Sequence, residues 1–499
     1  MKRMNVLFLG VLLFCVHLCA SAEEKIAEKK SLKDCLLLAL QNNFDLKLEA
    51  SSLEQKKQGI TSSQGDFDPL LTANYSYSDS TTPSSSSLDG VGSAKPIESV
   101  TSTYKLNLSK KFTFGTELTI PYTETVKRSN STYNIFGKSY NPNLGFTLKQ
   151  PLILGFYPSY HRKNVTSAEL EFQKSNEDQK IKMSDTMLKV ATTFLDVVKF
   201  EKELEIKTSS FKSAEDNLQF VKKKQDIGMA SAIDIAEAKS KYLQKQEGLI
   251  EAKKNLEEKR GNLLLLIYGD IENSILVNND LDQIKHEIAE KSLEINADQY
   301  SEFLEIAMKN RSEILKANYA IEKATFEKEC AGKDLLPKNN ATYNESWQGM
   351  RGHHSDAFDE VKDRKFKTTS LQIEVESPLF RHASKSAYEM KNLQWQQEQL
   401  KQKKVINEVS LEIFVLLKKI ESEKIRIQAL AEALAAESIK YDGQKQSYHL
   451  GKISLSDFNQ AIEDKEKSEL ENLKAKISHL TSLLNLYKSQ GVIFQKLAL

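Results

Sequence analysis

The sequence predicts an α+β protein built by internal duplication, in which sets of β-strands alternate with very long coiled-coil helical hairpins. Three observations carry this. Two stretches of the chain match at a constant offset; segments with period-two alternation recur at equivalent places in both copies; and after each such set, apolar residues step by three and four over tens of residues. Composition agrees, since only 9 Pro and 19 Gly occur among 499 residues and 28% are charged, as in chains of long helices.

The first 22 residues read as an export signal. Lys2 and Arg3 form a basic start, Val6 to Leu18 an almost unbroken apolar core, and Ala20-Ser21-Ala22 a small-x-small cleavage site. The mature chain is expected to begin at Glu23. Cys15 and Cys19 lie in this segment, but Phe14 and Leu18 stand where lipidation wants a small residue. Beyond it no run of about 18 apolar residues occurs, so a mature chain that crosses a membrane must do so as a closed β-barrel. Lys and Arg number 70 against 69 Asp and Glu, which excludes attachment to nucleic acid by bulk positive charge. Cys35 and Cys330 sit in helical patterns in different halves of the chain and are expected to be isolated small apolar residues.

The duplication is read from Ala39-Leu-Gln-Asn and Ala307-Met-Lys-Asn. Their offset of 268 also matches Leu46 with Ile314, Pro69 with Pro337, Ala73 with Ala341 and Tyr75 with Tyr343. Further on, Gly228-Met-Ala-Ser-Ala-Ile-Asp234 matches Gly451-Lys-Ile-Ser-Leu-Ser-Asp457 at an offset of 223, so the second copy is shorter by 45 residues. The first repeat spans 23–295 and the second 296–499.

Each repeat opens with a helix, roughly 30–62 and 297–333, that ends before a proline, because the residue preceding proline avoids the α region. Strands follow, at about 70–152 in the first repeat and 339–378 in the second. Leu71, Ala73, Tyr75 and Tyr77 alternate, as do Tyr104, Leu106 and Leu108, then Leu118, Ile120 and Tyr122, then Leu144, Phe146 and Leu148; Ala341 with Tyr343, and Leu371, Ile373 and Val375, do likewise. The intervening residues are mostly Thr, Asn, Ser, Lys, Gln or Glu, so one face is polar; alternation alone does not say whether that face meets solvent or a watery lumen. Ser78–Ser99, Val126–Asn143 and Gln348–Phe366 read as loops.

The hairpins come last, at about 160–268 and 382–490. Met187, Ala191, Phe194 and Val198 begin a seam; beyond Gly228, Ile235, Ala238, Tyr242, Leu249, Ala252, Leu256, Leu263 and Leu266 keep phase, interrupted by Lys245 and Lys259. Val409, Ile413, Leu416 and Ile420, then Leu473, Ile477, Leu480, Leu484 and Tyr487, repeat the pattern. Roughly 65 residues at 1.5 Å each make on the order of 100 Å of helix.

With these elements in order, the sequence resembles the TolC family of outer-membrane efflux proteins. The resemblance rests on the duplication, on Asp68-Pro69-Leu-Leu-Thr-Ala-Asn-Tyr partly repeated from Leu336-Pro337, on the junctions Gln150-Pro151-Leu152 and Ser377-Pro378-Leu379, and on two Gly-x-x-Ser-x-x-Asp turns. It implies an α+β membrane protein, a homotrimer whose protomers contribute strands to one outer-membrane β-barrel and helical hairpins to a periplasmic α-barrel. Such a protein lies in outer-membrane lipid and joins a periplasmic adaptor (membrane fusion protein) and an inner-membrane pump. It carries small molecules or polypeptides out, with no enzymatic chemistry, cofactor or metal. The family implies four strands per protomer, whereas Lys110-Lys111-Phe112-Thr113-Phe114-Gly115 suggests an additional hairpin and six.

The resemblance also assigns site residues. Gly228, Met229 and Ser231, with Gly451, Lys452 and Ser454, would be the tips that dock the adaptor; as plain chemistry they are a helix-ending glycine followed by an N-cap serine. Asp234, Tyr448 and Asp457 resemble gate positions, although Ile453 stands where a basic residue is expected and Gln460 where a second acidic ring would be. Equally, Tyr448 suits seam packing and the Asp residues suit the first turn of a helix. No P-loop, Gly-x-Gly-x-x-Gly, Cys-x-x-Cys or Gly-x-Ser-x-Gly occurs. His353-His354-Ser-Asp356 has metal-ligating residue types, but adjacent histidines in a charged loop are expected to be solvated. The alternative function is a periplasmic coiled-coil structural or adaptor protein without a channel; two hairpins, several strands and no anchor argue against it.

Overall fold

The computed structural model describes residues 29–83, 96–131, 134–272, 275–288 and 299–497. The expected signal peptide and the boundary between the repeats at 295/296 lie outside them. In chain order the structure contains helices α1 (Leu32–Asn42) and α2 (Phe44–Gln64), strands β1 (Leu70–Thr82), β2 (Ile97–Lys111), β3 (Glu117–Ser129) and β4 (Lys138–Pro151), and helices α3 (Lys163–Asp226), α4 (Ala232–Tyr268), α5 (Leu281–Ile288), α6 (Tyr300–Asn310) and α7 (Ser312–Lys333). Strand β5 (Lys338–Gln348), helix α8 (His354–Lys362), strand β6 (Phe366–Glu376) and the long helices α9 (His382–His449) and α10 (Leu455–Ser489) follow, with single helical turns at Pro158–His161 and Ile493–Lys496. Among the described residues no helix is long and apolar enough to cross a membrane.

The chain forms two compact units, one of residues 1–50, 178–313 and 406–499, the other of 51–177 and 314–405. Each unit combines equivalent pieces of both sequence repeats, so the duplication boundary is not a spatial boundary.

In the helical unit the heptad positions are the core: Met187, Ala191, Phe194, Val198, Leu263 and Ile413 are buried. Here the structure corrects the opening helices. Each predicted continuous helix is broken once, at Asn43 between α1 and α2 and at Arg311 between α6 and α7, positions related by the offset of 268. The cause is a tertiary tie. Asn43 Nδ2 donates to the Leu266 carbonyl at 3.0 Å, near the end of α4, and Arg311 donates to the Lys488 carbonyl at 2.6 Å, near the end of α10. Asn43 satisfies a carbonyl that the ending helix leaves without an intrahelical partner, and Arg311 adds a second donor to one that already accepts Gly491 N–H at 2.8 Å. Arg311 also meets Glu412 at 3.2 Å.

The sheet unit holds one antiparallel sheet in the order β1-β2-β3-β4-β5-β6, six strands among the described residues. The additional hairpin lies where the sequence placed it: β2 ends at Lys111, and the turn closes through Phe112 N–H donating to the Thr116 carbonyl at 2.8 Å. Gly115 has φ +91°, and a Cβ there would lie 2.4 Å from the His161 ring, so both backbone and space require glycine. All three predicted loops shrink. In the first, expected at Ser78–Ser99, β1 continues to Thr82 and β2 begins at Ile97. Strands β3 and β4 continue to Ser129 and from Lys138, because pairing persists beyond the stretch where one face is apolar and the alternation is visible. The segment 348–366 is not all loop either: α8 buries Ala357 and Val361, one turn apart, and packs on β4. Cys35 and Cys330 are free and buried, as expected.

Candidate functional site

The two hairpin tips are built alike. Gly228 and Gly451 take φ of +76° and +71°. Gly228 N–H donates to the Gln225 carbonyl and Met229 N–H to the Lys224 carbonyl, both at 2.7 Å; Gly451 and Lys452 donate in the same way to Tyr448 and Ser447, at 3.0 and 2.9 Å. These are Schellman closures, which satisfy the last carbonyls of α3 and α9. Ser231 and Ser454 then cap the return helices. Asp234 N–H donates to Ser231 Oγ at 3.1 Å while Ser231 N–H donates to Asp234 Oδ2 at 2.7 Å; Ser454 and Asp457 form the same box. Backbone and cap groups therefore hold the turns without help from the neighbouring apolar side chains. Those side chains face solvent: Ile227 is 69% exposed, Met229 73%, Ile233 77% and Leu450 71%. Ile227, Ile233 and Leu450 were missed in the sequence; their signal is that they are large apolar residues flanking the turn glycines.

Beside the tips lies an aromatic cluster. Tyr448 is buried, stacked on Phe458 at 4.9 Å between ring centroids, and met edge-on by Phe220 at 5.6 Å, with Lys224 Nζ 4.9 Å above its ring. Ile453 packs against this cluster, and Gln460 donates to Asp464 at 2.7 Å. Burial, with the nearby charges of Asp234 and Glu237, pushes the Tyr448 phenol up to about 12, so its hydroxyl stays a donor across the physiological range. The Ser231 N–H and hydroxyl hold the Asp234 carboxyl below its ordinary value. Tyr448 thus serves the packing that its position in the seam suggested, and Asp234 and Asp457 serve as caps. Asp234 does so through Oδ2.

Further from the tips a polar ladder joins α3, α4 and α10. Asn217 donates to Asn459 at 3.2 Å, Asn459 to Glu237 at 3.1 Å, and Lys241 to Glu463 at 2.7 Å. It ends at Glu466, which receives Lys207 and Lys245, each at 2.6 Å, and the Ser210 hydroxyl. Burial acts to raise the Glu466 carboxyl, but these three donors more than offset it and hold the group below its ordinary value.

The sheet has two chemically opposite faces. Register places Leu71, Ala73, Tyr75 and Tyr77 on the same side as Leu108, Leu106 and Tyr104, then Tyr122 and Leu118, then Leu144 and Leu148, then Tyr343, then Leu371 and Ile373. Many of these are openly exposed, Leu71 at 68% and Leu371 at 70%. The opposite side carries Thr72, Asn74, Ser76, Asn107, Lys105, Thr103, Thr119, Thr147, Asn344, Thr342 and Gln372. The two sets anticipated from the sequence, with Tyr75, Tyr77, Tyr104, Leu106, Leu118, Ile120, Phe146 and Leu148 in one and Asn74, Lys105, Asn107, Glu117 and Thr119 in the other, fall on opposite faces. His354 is exposed, as expected, but it opens helix α8 rather than lying in a loop: its Nδ1 meets Glu124 and its ring lies 6.0 Å from Tyr140 and 6.1 Å from Phe358. No group of three or more His, Cys, Asp or Glu among the described residues is placed to hold a metal.

The family model for outer membrane efflux proteins matches residues 36–267 and 303–492. No curated protein sequence matches the chain. Among solved structures, CusC aligns over 94% of this chain and 94% of its own, with a TM-score of 0.67 and 14% identity. The CmeC outer membrane channel of Campylobacter jejuni aligns over 93% and 86%, at 0.64 and 15%, and VceC of Vibrio cholerae over 92% and 96%, at 0.66 and 12%. At these identities the likeness is one of fold.

Proposed function

From the premise that the chain belongs to the outer membrane efflux protein family, we propose that it is the outer-membrane exit channel of a tripartite efflux or type I secretion system. It works as a homotrimer with a periplasmic adaptor (membrane fusion protein) and an inner-membrane pump, and conducts small molecules or polypeptides to the exterior. The observation that carries this reading is the sheet: one face exposes Leu, Ile, Val, Phe and Tyr, the other Ser, Thr, Asn, Gln and Lys. A periplasmic structural or adaptor rod would leave that apolar face in water; a membrane channel turns it to lipid and the polar face to a wet lumen. In outer membranes, a lipid-soluble thiol reagent is expected to label cysteines at Leu106, Ile120 and Leu148 and a water-soluble one those at Asn74, Lys105 and Thr119. Reversed labelling, or a protein that fractionates with the periplasm, refutes the reading.

The hairpin ends carry the gate in this proposal. In the closed trimer Tyr448 donates a hydrogen bond to Asp234, whose Oδ1 is left over from capping, and Asp457 adds a second acidic position. One such bond is worth about 1 kcal/mol. Single-channel conductance therefore rises in Tyr448→Phe and in Asp234→Ala, and the double variant adds little beyond either. Unchanged conductance in all three eliminates this link as the lock.

A further inference from the structure

We propose that β6 of one copy pairs antiparallel with β1 of the next, with Gln372 opposite Asn74, Ile373 opposite Ala73 and Val375 opposite Leu71. Six strands from each of three copies then close an eighteen-stranded barrel, where the family resemblance implied twelve. The count of three rests on the channel reading above; the register rests on the sheet alone.

Six strands leave two open edges, β1 with 13 residues and β6 with 11. In lipid each unpaired backbone group costs several kcal/mol. Soluble proteins blunt such edges with proline, lysine or bulges, yet β1 has neither Pro nor Lys, and β6 carries only Lys367 near its start. Strand β1 runs away from α2, and β6 runs back toward α9, so the two edges meet antiparallel.

The register follows from the apolar band. Straight across the ladder, Ala73 stands level with Leu106, Tyr122, Leu144, Trp347 and Lys367. Lys367 is charged, and the apolar residues of that face on β6 are Leu371, Ile373 and Val375, further along the strand. For the band to continue around a ring, β6 must meet β1 with a slip of about six residues, which sets Leu371, Ile373 and Val375 against Tyr75, Ala73 and Leu71. The same slip sets Ser370, Gln372 and Glu374 against Ser76, Asn74 and Thr72 on the polar face. An odd slip would turn one copy's apolar residues into the lumen. Six residues over six strands, at ~3.3 Å per residue and ~4.8 Å between strands, is a tilt of about 35°, within the range at which membrane barrels close. Such a barrel is roughly 34 Å across between backbones, about half as wide again as one of twelve strands at the same tilt.

Gln372→Cys is combined with Asn74→Cys, and separately with Thr72→Cys or Ser76→Cys, then oxidised in isolated outer membranes; the native Cys35 and Cys330 are buried. Directly opposed Cα atoms, about 4.5–5.5 Å apart, fit a disulfide, while diagonal partners at roughly 7–8 Å do not. The Asn74 pair is expected to give covalent dimers and trimers at least ~5-fold more than either neighbour, with nothing larger than trimer. Strongest linking at Thr72 or Ser76 overturns the register, and no linking in any variant overturns the pairing. The mass of the unsubstituted oligomer in detergent is a check free of folding defects: any number of chains other than three overturns eighteen strands. Linked trimers that conduct no ions would instead retire the channel reading and leave the pairing standing.

Discussion

Met229→Asp at the first tip and Lys452→Glu at the second abolish export, while trimers still assemble in the membrane. The tips are closed by backbone bonds and serine caps, and Met229 contributes nothing to the folded chain that an exposed side chain of another kind would not. Substitution there leaves stability within about 0.5 kcal/mol. Ile227, Met229, Ile233 and Leu450, each kept in water at the tips, are instead suited to burial against the proposed adaptor. A carboxylate placed at Met229 must then be desolvated without a partner, which costs several kcal/mol; at about 1.4 kcal/mol per tenfold, docking weakens by at least ~100-fold. Efflux of a fluorescent substrate and co-purification of the adaptor measure this, with heat-modifiable bands reporting the trimer. Export at the unsubstituted rate would remove the docking assignment.

Glu466→Ala loosens α10 by about 3 kcal/mol. The loss comes from what is left behind, namely Lys207 and Lys245, both largely covered, with no counter-charge between them. Backbone amides over residues 459–470 should exchange roughly 100-fold faster, since each 1.4 kcal/mol is a factor of ten. Joint replacement of Glu466 by Leu and both lysines by Met should restore most of the protection. The pH dependence has a definite sign. Because the folded carboxyl titrates below its ordinary value, its contribution is complete above the unfolded value of about 4.3 and is lost as pH falls through the folded one. Protection in the native chain therefore drops below about pH 4, and in Glu466→Gln that drop is smaller, the remainder belonging to Asp464, whose carboxyl is also held low by its hydrogen bonds from Lys440 and Gln460. Equal exchange in Glu466→Ala and the native protein would show that the cluster carries no stability.

Local patterns made most of this molecule readable. Heptad steps such as Met187, Ala191, Phe194 and Val198 are buried in order, and the period-two runs became strands, because both signals depend only on neighbours along the chain. What the sequence concealed depends on distant partners. Asn43 and Arg311 break their helices for the sake of carbonyls more than 170 residues away. Lys245 looked like a flaw in the seam, and Glu466 is the reason it is there. Helix α8 was hidden in a charged segment because only two of the residues it buries, Ala357 and Val361, are apolar, and the third is Glu360. The tips were legible as turns from Gly, Ser and Asp, and seam packing was one of the two readings open to Tyr448; its stacking partner Phe458 was not legible.

The additional hairpin also constrains how such a pore can change over generations. A single inserted strand would send everything after it to the other side of the membrane, so α3 and α4, and every later element, would emerge outside the cell. A pair joined by the Phe112–Thr116 turn returns the chain to the side it left, and the machinery downstream is undisturbed. Circumference in this lineage can therefore grow only by hairpins. In the proposed trimer one gene furnishes every third of the ring, so a single insertion is expressed three times over, adding six strands in one hereditary step.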